Sequence, residues 1–189
     1  GGGSGTPVAG HRISIQTTTR INKIAGCINT ADQGGYGWGR IYPNTYLLSL
    51  YDQAKDTRYN ELFVHRFKYN DPTSPKYGEL IPLAKSSSYC ETLHFMSKKY
   101  FDQWTMADNP DRTTGFKDLI VYRLAETYLM AAEAYMRRDG GMSTDALRCY
   151  NKTWERAGND KFAGPLTQDI LLDEYARELN FEGVRWPLL

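Results

Sequence analysis

The sequence lacks the features that would assign it to several large classes of protein. No apolar run in its 189 residues approaches the roughly 18 residues that a membrane-spanning helix needs. It has no excess charge of one sign, because 23 Lys and Arg stand against 22 Asp and Glu, a formal charge of +1. That balance gives no electrostatic reason to expect nucleic acid as a partner.

Residues that bind metals or form disulfides are few and scattered. The three cysteines are Cys27, Cys90 and Cys149, and the three histidines are His11, His65 and His94. Neither set has the spacing of a metal motif, so we predict no metal centre and no cofactor. At most one disulfide can form, and the sequence does not decide which pair. Loop aspartates are present without a diagnostic spacing, which leaves calcium open.

Aromatic residues are abundant, at 13% of the chain with 14 tyrosines. Tyrosine joins a flat apolar face to a hydroxyl, which suits surfaces that bind polar ligands. Apolar residues at 41% and charged residues at 24% are typical of a globular protein.

The first two thirds of the chain predict a region rich in loops. Residues 1–10 are expected to be a linker, and residues 12–17 alternate as in a short strand. The glycine-rich stretch 25–43 predicts a flexible loop.

The residues that follow add few regular elements. A helix is predicted to open at Pro43, a turn at 56–59 and a strand at 61–69. Residues 76–112 show no sustained period and predict short extended pieces between loops.

The last third predicts helices. Residues 118–138 carry an apolar stripe at spacings of three and four: Tyr122, Ala125, Leu129, Ala132 and Met136. A second helix over 144–157 follows a short connection, so the two form an αα-hairpin. Thr167 is expected to cap a third helix.

Three blocks in these helices resemble the SusD/RagB family, whose members are surface glycan-binding lipoproteins of Bacteroidetes-type outer membranes. The blocks are Tyr122–Ala134, Asn151–Gly158 and Glu174–Trp186, with looser matches at Tyr51–Arg58 and Lys99–Asp102. Tyr175, Thr153–Trp154 and Pro187–Leu188 depart from the family pattern and are expected to alter local salt bridges. The resemblance runs from about residue 12 to the end.

The resemblance implies a mainly α fold with irregular loops and a few short strands, built from a tetratricopeptide-like αα-hairpin and a loop-rich region. Residues 11–189 would be one SusD/RagB C-terminal domain, with 11–117 loop-rich and 118–189 helical. The full-length protein would be a lipoprotein exposed on the cell outer membrane, with its signal and lipidated cysteine outside this chain. It would bind oligosaccharide or polysaccharide without catalysis and deliver it to a SusC-like TonB-dependent transporter.

Carboxylates that resemble a catalytic set have a simpler interpretation. The helical acids and arginines are expected to form ion pairs: Glu126, Glu133, Glu174, Glu178, Glu182, Arg177 and Arg185. Asp102, Asp108 and Asp111 are expected to form turns, since nothing fixes the separation that a glycosidase requires. We therefore predict a protein that is not an enzyme.

Two groups combine aromatic rings with polar side chains, as a sugar site requires. The first comprises Tyr36, Trp38, Arg40 and Tyr42, near Asp32, Gln33 and Asn44. The second comprises Trp104 and Asn109, near Gln103, Asp108 and Arg112. The alternative is that both indoles plug the core beneath their loops. Trp154 and Trp186 are expected in the core.

Two other functions stay open at this point. One is a helical-repeat module that binds a partner protein and has no sugar site, and the other is a glycoside hydrolase. The helix at Tyr122–Met136 is expected to expose apolar surface, which predicts self-association.

Overall fold

The computed structural model describes residues 10–82 and 91–184. They form two compact units: residues 10–43, 61–82 and 91–118 group together in one, and residues 44–60 and 119–184 in the other. We call these the loop-rich unit and the helical unit. The predicted linker at 1–9, Cys90 and the Arg185–Leu188 part of the resemblance lie outside the described residues, as does Trp186. The assignment of residues 11–189 to one domain stays a prediction.

The loop-rich unit contains short helices and two small sheets. Its helices are α1 (Ile13–Thr17) and α4 (Gln103–Asp108), with 3₁₀ turns at Ile21–Lys23 and Ala31–Gln33. Its strands are β1 (Phe63–Val64), β2 (Phe67–Lys68), β3 (Leu80–Ile81) and β4 (Met96–Ser97). β1 pairs antiparallel with β4, with Phe63 opposite Ser97, and β2 pairs antiparallel with β3, with Phe67 opposite Ile81.

One strand prediction in this unit is wrong, and another is confirmed only in part. The segment predicted as a strand at 12–17 is α1, in which the hydroxyl groups of Thr17 and Thr18 donate to the carbonyl oxygen of Ser14. These local bonds let the backbone turn despite its β-branched side chains. The predicted strand at 61–69 is divided into β1 and β2, because each pairs with a different partner strand.

The helical unit contains the longest helices. It comprises α2 (Thr45–Ser49), α3 (Thr57–Glu61, where a turn was predicted), α5 (Leu124–Asp139), α6 (Thr144–Trp154) and α7 (Gln168–Glu178). Helices α5 and α6 pack together across a connection of four residues and form the predicted αα-hairpin. The Thr167 hydroxyl accepts a hydrogen bond from the backbone N–H of Ile170, which confirms the predicted cap of α7.

Helix α5 begins six residues later than predicted. Ala125, Leu129 and Ala132 form its buried stripe, as the spacing indicated, but Tyr122 precedes the helix and is 82% exposed. The core of the unit joins this stripe to residues of α6 and α7: Ala146, Cys149, Tyr150, Leu171, Tyr175 and Leu179. Trp154 packs against that core, partly buried, as predicted.

A network of buried ion pairs joins α3 to α7. Arg58 pairs with Asp56 (2.7 Å), Glu174 (2.8 Å) and Glu178 (3.0 Å), all of which are buried. Arg177 also pairs with Glu174, at 2.8 Å. The acids of α7 that resemble a catalytic set are therefore neutralised by arginines, and removal of either partner would leave a buried charge unpaired.

Tyr175, one of the departures from the family pattern, is an apolar core residue here. Its ring is buried in the core of the helical unit, and its hydroxyl has no hydrogen-bond partner. Burial, with the charges of Glu133 and Glu126, raises the pKa of Tyr175 to about 12. The hydroxyl consequently stays neutral and makes no salt bridge.

Candidate functional site

Trp104 is the most exposed large apolar side chain of the described residues. It lies in the first turn of α4, and 92% of the residue is accessible to solvent. Met106, two residues further on, is fully buried and anchors the opposite side of the same short helix. The alternative in which Trp104 plugs the core is therefore wrong.

Asp102 fixes the start of α4. Its carboxylate accepts hydrogen bonds from the N–H (3.1 Å) and hydroxyl (2.6 Å) of Thr105, and from the N–H groups of Phe116 (2.7 Å) and Lys117 (3.0 Å). Burial raises the pKa of this carboxyl, but the four hydrogen bonds outweigh it and hold the pKa below its usual value. Asp102 thus ties the helix that carries Trp104 to the segment that contains Phe116.

These residues line an open groove of about 590 Å³. Its lining comprises Lys98, Phe101, Asp102, Gln103, Trp104, Thr105, Phe116 and Lys117. The Lys117 ammonium donates to the carbonyl oxygens of Lys99 and Phe101, each at 3.1 Å, which holds one wall in place. The groove therefore combines an exposed indole, a half-exposed phenyl ring and several hydrogen-bonding side chains.

The glycine-rich loop is fixed by hydrogen bonds to α1 and is not the flexible loop that its composition predicts. The backbone N–H of Trp38 donates to Ile15 (2.6 Å), and that of Arg40 donates to Gln16 (2.8 Å). Gly37 permits this close approach, because a Cβ atom there would lie 2.2 Å from the carbonyl oxygen of Thr19.

Trp38 lies in this loop beside two guanidinium groups. The Cζ atom of Arg40 is 4.9 Å from the ring centroid, and that of Arg12 is 5.7 Å from it. Trp38 is half-buried, whereas both arginines are exposed.

The other predicted aromatic residues of the loop have different surroundings. The Tyr42 ring lies 5.0 Å from that of the buried His94. The backbone N–H of Tyr36 donates to the carbonyl oxygen of Pro110 (2.7 Å), which places the loop against the turn that follows α4. Asn109 begins that turn, and its side-chain oxygen accepts the N–H of Asp111 (3.0 Å).

The structure thus brings the predicted residues into two local groups within the loop-rich unit. Trp38 and Arg40 are together, joined by Arg12, whereas Trp104 lies in a groove with Lys98, Phe116 and Lys117. Sequence reasoning missed these last three and Arg12. They lie between six and 26 positions along the chain from the residue they accompany, and no spacing motif links them. The antiparallel bridge between His11 and Gly115 shows why such neighbours are invisible in the sequence.

The histidines and loop acids do not form a catalytic arrangement. His65 stacks on Phe95 with centroids 5.3 Å apart, and His11 contacts the carbonyl oxygen of Lys117 at 2.5 Å. Asp111 accepts a hydrogen bond from Asn29 at 2.6 Å. Asp102 caps the start of α4, so both acids are engaged in hydrogen bonds within the loop-rich unit.

Residues 10–82 and 91–184 contain no cluster of three His, Cys, Asp or Glu side chains suited to a metal ion. Their helices also lack the length and apolarity needed to cross a bilayer. Cys27 and Cys149 are buried free thiols.

Comparison with known proteins confirms the family that the C-terminal blocks resemble. Residues 7–187 match the SusD family, and the chain belongs to it. Over 68 residues it is 40% identical to the starch-binding protein SusD of Bacteroides thetaiotaomicron. That alignment covers 36% of this chain and 12% of the starch-binding protein. SusD family proteins are non-catalytic glycan-binding proteins.

Two solved structures share the fold. Surface glycan-binding protein A from Bacteroides uniformis aligns with a TM-score of 0.60 at 22% identity, covering 94% of this chain and 34% of that one. A SusD superfamily protein from Parabacteroides distasonis aligns with a TM-score of 0.53 at 22% identity, and the alignment covers 74% of this chain and 29% of that one. The mainly helical, SusD-like fold is thereby confirmed. The chain spans about a third or less of the length of each relative.

Proposed function

We propose that this chain binds oligosaccharide at the groove beside Trp104 and breaks no bond in it. The exposure of Trp104 carries the proposal. The residue is 92% exposed, and a ligand that covered its indole would remove a large apolar surface from water, which is favourable. A sugar ring offers a face of C–H groups that packs flat on an indole. Family membership supports a glycan over other ligands with a similar face.

The polar lining suits the hydroxyl groups at the edge of such a ring. Gln103 offers both a donor and an acceptor, and Lys98 offers a charged donor. The Thr105 hydroxyl donates to Asp102 and offers its oxygen as an acceptor. The groove is open rather than enclosed, so it can accept an internal stretch of a polysaccharide as well as a chain end. An open platform also favours modest affinity and ready release.

The release step fits delivery to a transporter. We propose that the full-length protein acts at the surface of the outer membrane, as a lipoprotein, and passes glycan to a SusC-like TonB-dependent transporter. Surface glycan-binding members of the family are outer-membrane lipoproteins, which supports this location. Tyr36, Tyr42 and Asn109 stay candidates for further contacts along a longer glycan.

Affinity electrophoresis through gels containing a panel of neutral polysaccharides tests the binding proposal. We expect at least one polysaccharide to retard the native chain, and Trp104→Ala to abolish that retardation. Tyr77→Ala is the matched control, since Tyr77 is an exposed aromatic residue of the same unit outside the groove. Retardation that survives Trp104→Ala, or is lost equally in the control, would contradict the proposed site.

A protein-binding role without sugar has one observation in its favour. Apolar side chains on the approach to α5 and on the helix itself are exposed: Ile120, Val121, Tyr122, Leu124 and Met130. Such a surface is typical of an interaction site. Absence of retardation by every polysaccharide, together with concentration-dependent association, would favour this function.

A further inference from the structure

Trp38 cannot serve as a sugar platform in the way that Trp104 can. Two guanidinium groups already lie over its ring, with their Cζ atoms at 4.9 Å for Arg40 and 5.7 Å for Arg12. Cation–π contact of this kind helps to hold each arginine in place. The predicted role of Trp38 as a stacking surface therefore becomes that of a support for two cations.

Both arginines lack a counter-charge. Within the described residues, neither Arg12 nor Arg40 forms an ion pair or a side-chain hydrogen bond, although both are exposed. The backbone of Glu91 lies against Gly39, but its carboxylate pairs with Arg20 at 2.6 Å. Two positive charges around one indole therefore stand without a carboxylate partner among the described residues, whereas other exposed arginines have one, as in the Arg137–Glu133 and Arg148–Asp145 pairs.

The supporting backbone is tied to α1 by hydrogen bonds. The N–H groups of Trp38 and Arg40 donate to the carbonyl oxygens of Ile15 and Gln16, both in α1, and Arg12 directly precedes α1. All three side chains are thus attached to one short, hydrogen-bonded element. A site whose charges are held in position before the ligand arrives loses little entropy on binding.

We infer that Trp38, Arg12 and Arg40 form a subsite for an acidic sugar residue, one that carries a carboxylate or a sulfate ester. The fork of guanidinium N–H groups matches the paired oxygens of either anion, and a charged acceptor strengthens each hydrogen bond. The inference rests on the proposed function, because it takes the anion to be part of a glycan that the loop-rich unit binds. It adds a preference for acidic glycans that Trp104 alone does not give.

Binding measured by affinity electrophoresis against polymers that share a backbone but differ in charge tests this subsite. Fully methyl-esterified polygalacturonate carries a neutral ester where polygalacturonate carries a carboxylate, and dextran carries a hydroxyl where dextran sulfate carries a sulfate. We expect the native chain to bind one acidic polymer more tightly than its neutral counterpart. Tighter binding of polygalacturonate would indicate a carboxylate as the ligand group, and tighter binding of dextran sulfate would indicate a sulfate.

Variants connect that preference to the two arginines. Arg40→Gln and Arg12→Gln are each expected to weaken binding of the acidic polymer about tenfold, the loss typical of a hydrogen-bonded charge contact, with neutral glycan unaffected. Arg148→Gln in the helical unit changes the net charge equally and is expected to have no effect, since the chain as a whole carries only +1. Added salt should weaken binding of the acidic polymer more than that of a neutral one.

The outcomes separate the inference from the function on which it rests. Equal affinity for charged and neutral polymers, or equal losses in Arg40→Gln and Arg148→Gln, would overturn the acidic subsite and leave the Trp104 groove standing. Failure to bind either acidic polymer would also overturn it. The proposed function itself fails only when the neutral panel is not bound or when binding is indifferent to Trp104→Ala.

Discussion

Replacing Glu178 by glutamine tests the buried network that holds α7 in the helical unit. The Glu178 carboxylate is buried and accepts hydrogen bonds from Arg58 (3.0 Å), Arg123 (2.6 Å) and Arg156. Burial raises the pKa of this carboxyl, but Arg156 and Arg123 outweigh it and lower the pKa from 4.5 to about 2. Glutamine has nearly the same shape, removes the charge and replaces one acceptor oxygen by an amide NH2 group.

The difference between those two pKa values sets the expected magnitude. A group with a pKa of 4.5 when unfolded and about 2 when folded stabilises the folded state by about 3 kcal/mol at neutral pH. Because the folded pKa is the lower one, this contribution is complete above pH 4.5 and is lost as the pH falls toward 2. Glu178→Gln should therefore cost about 3 kcal/mol at pH 7 and little near pH 2.

Urea unfolding of the native chain and the variant, repeated between pH 7 and pH 2, measures this difference. Carboxylates common to both proteins titrate in both, so their contributions cancel. Asp160→Asn is the control, because Asp160 pairs with Lys55 in a solvent-exposed ion pair and should change stability little at any pH. A cost for Glu178→Gln that is the same at pH 7 and pH 3 would refute the electrostatic explanation.

Three further predictions concern the loop-rich unit and the surface of α5. Gly37→Ala should destabilise the fold by about 2 kcal/mol, measured by urea unfolding, because the new Cβ would lie 2.2 Å from the Thr19 backbone oxygen. It should also weaken acidic-glycan binding, measured by affinity electrophoresis. Asp102→Ala should cost about 2 kcal/mol by the same unfolding assay, because a helix cap and two backbone N–H groups lose their acceptor, and it should also weaken binding at Trp104. Light scattering should show self-association of the native chain that Val121→Ser reduces, since Val121 is 76% exposed; a monomer at high concentration would contradict this.

The helices of the C-terminal third were predictable because their signals are local. The stripe of Ala125, Leu129 and Ala132 and the cap at Thr167 depend on residues within one or two turns. The same reasoning placed Tyr122 in the helix, although the backbone is not helical until Leu124. Boundaries are harder to predict, because a helix start depends on what the preceding residues contact.

The loop-rich unit shows where local reasoning stops. Its strands are two residues long, and their existence depends on partners such as Met96 for Val64, 32 positions along the chain. Aromatic composition indicated Trp38 and Trp104 as a pair of equivalent platforms. Only the structure shows that Arg12 and Arg40 lie over the ring of Trp38, whereas the ring of Trp104 is exposed to solvent. Neither arrangement follows from the spacing of residues in the sequence.

The indole N–H resonances of the tryptophans provide the most direct test of the central claim, that Trp104 contacts glycan. An oligosaccharide from a polymer that retards the chain is added in steps while these resonances are followed by NMR, with Trp104→Phe used for assignment. We predict that the Trp104 signal shifts and saturates, whereas Trp154, whose indole donates to the carbonyl oxygen of Asp160 at 2.8 Å, does not move. A Trp104 signal that stays in place while the oligosaccharide demonstrably binds would contradict the account.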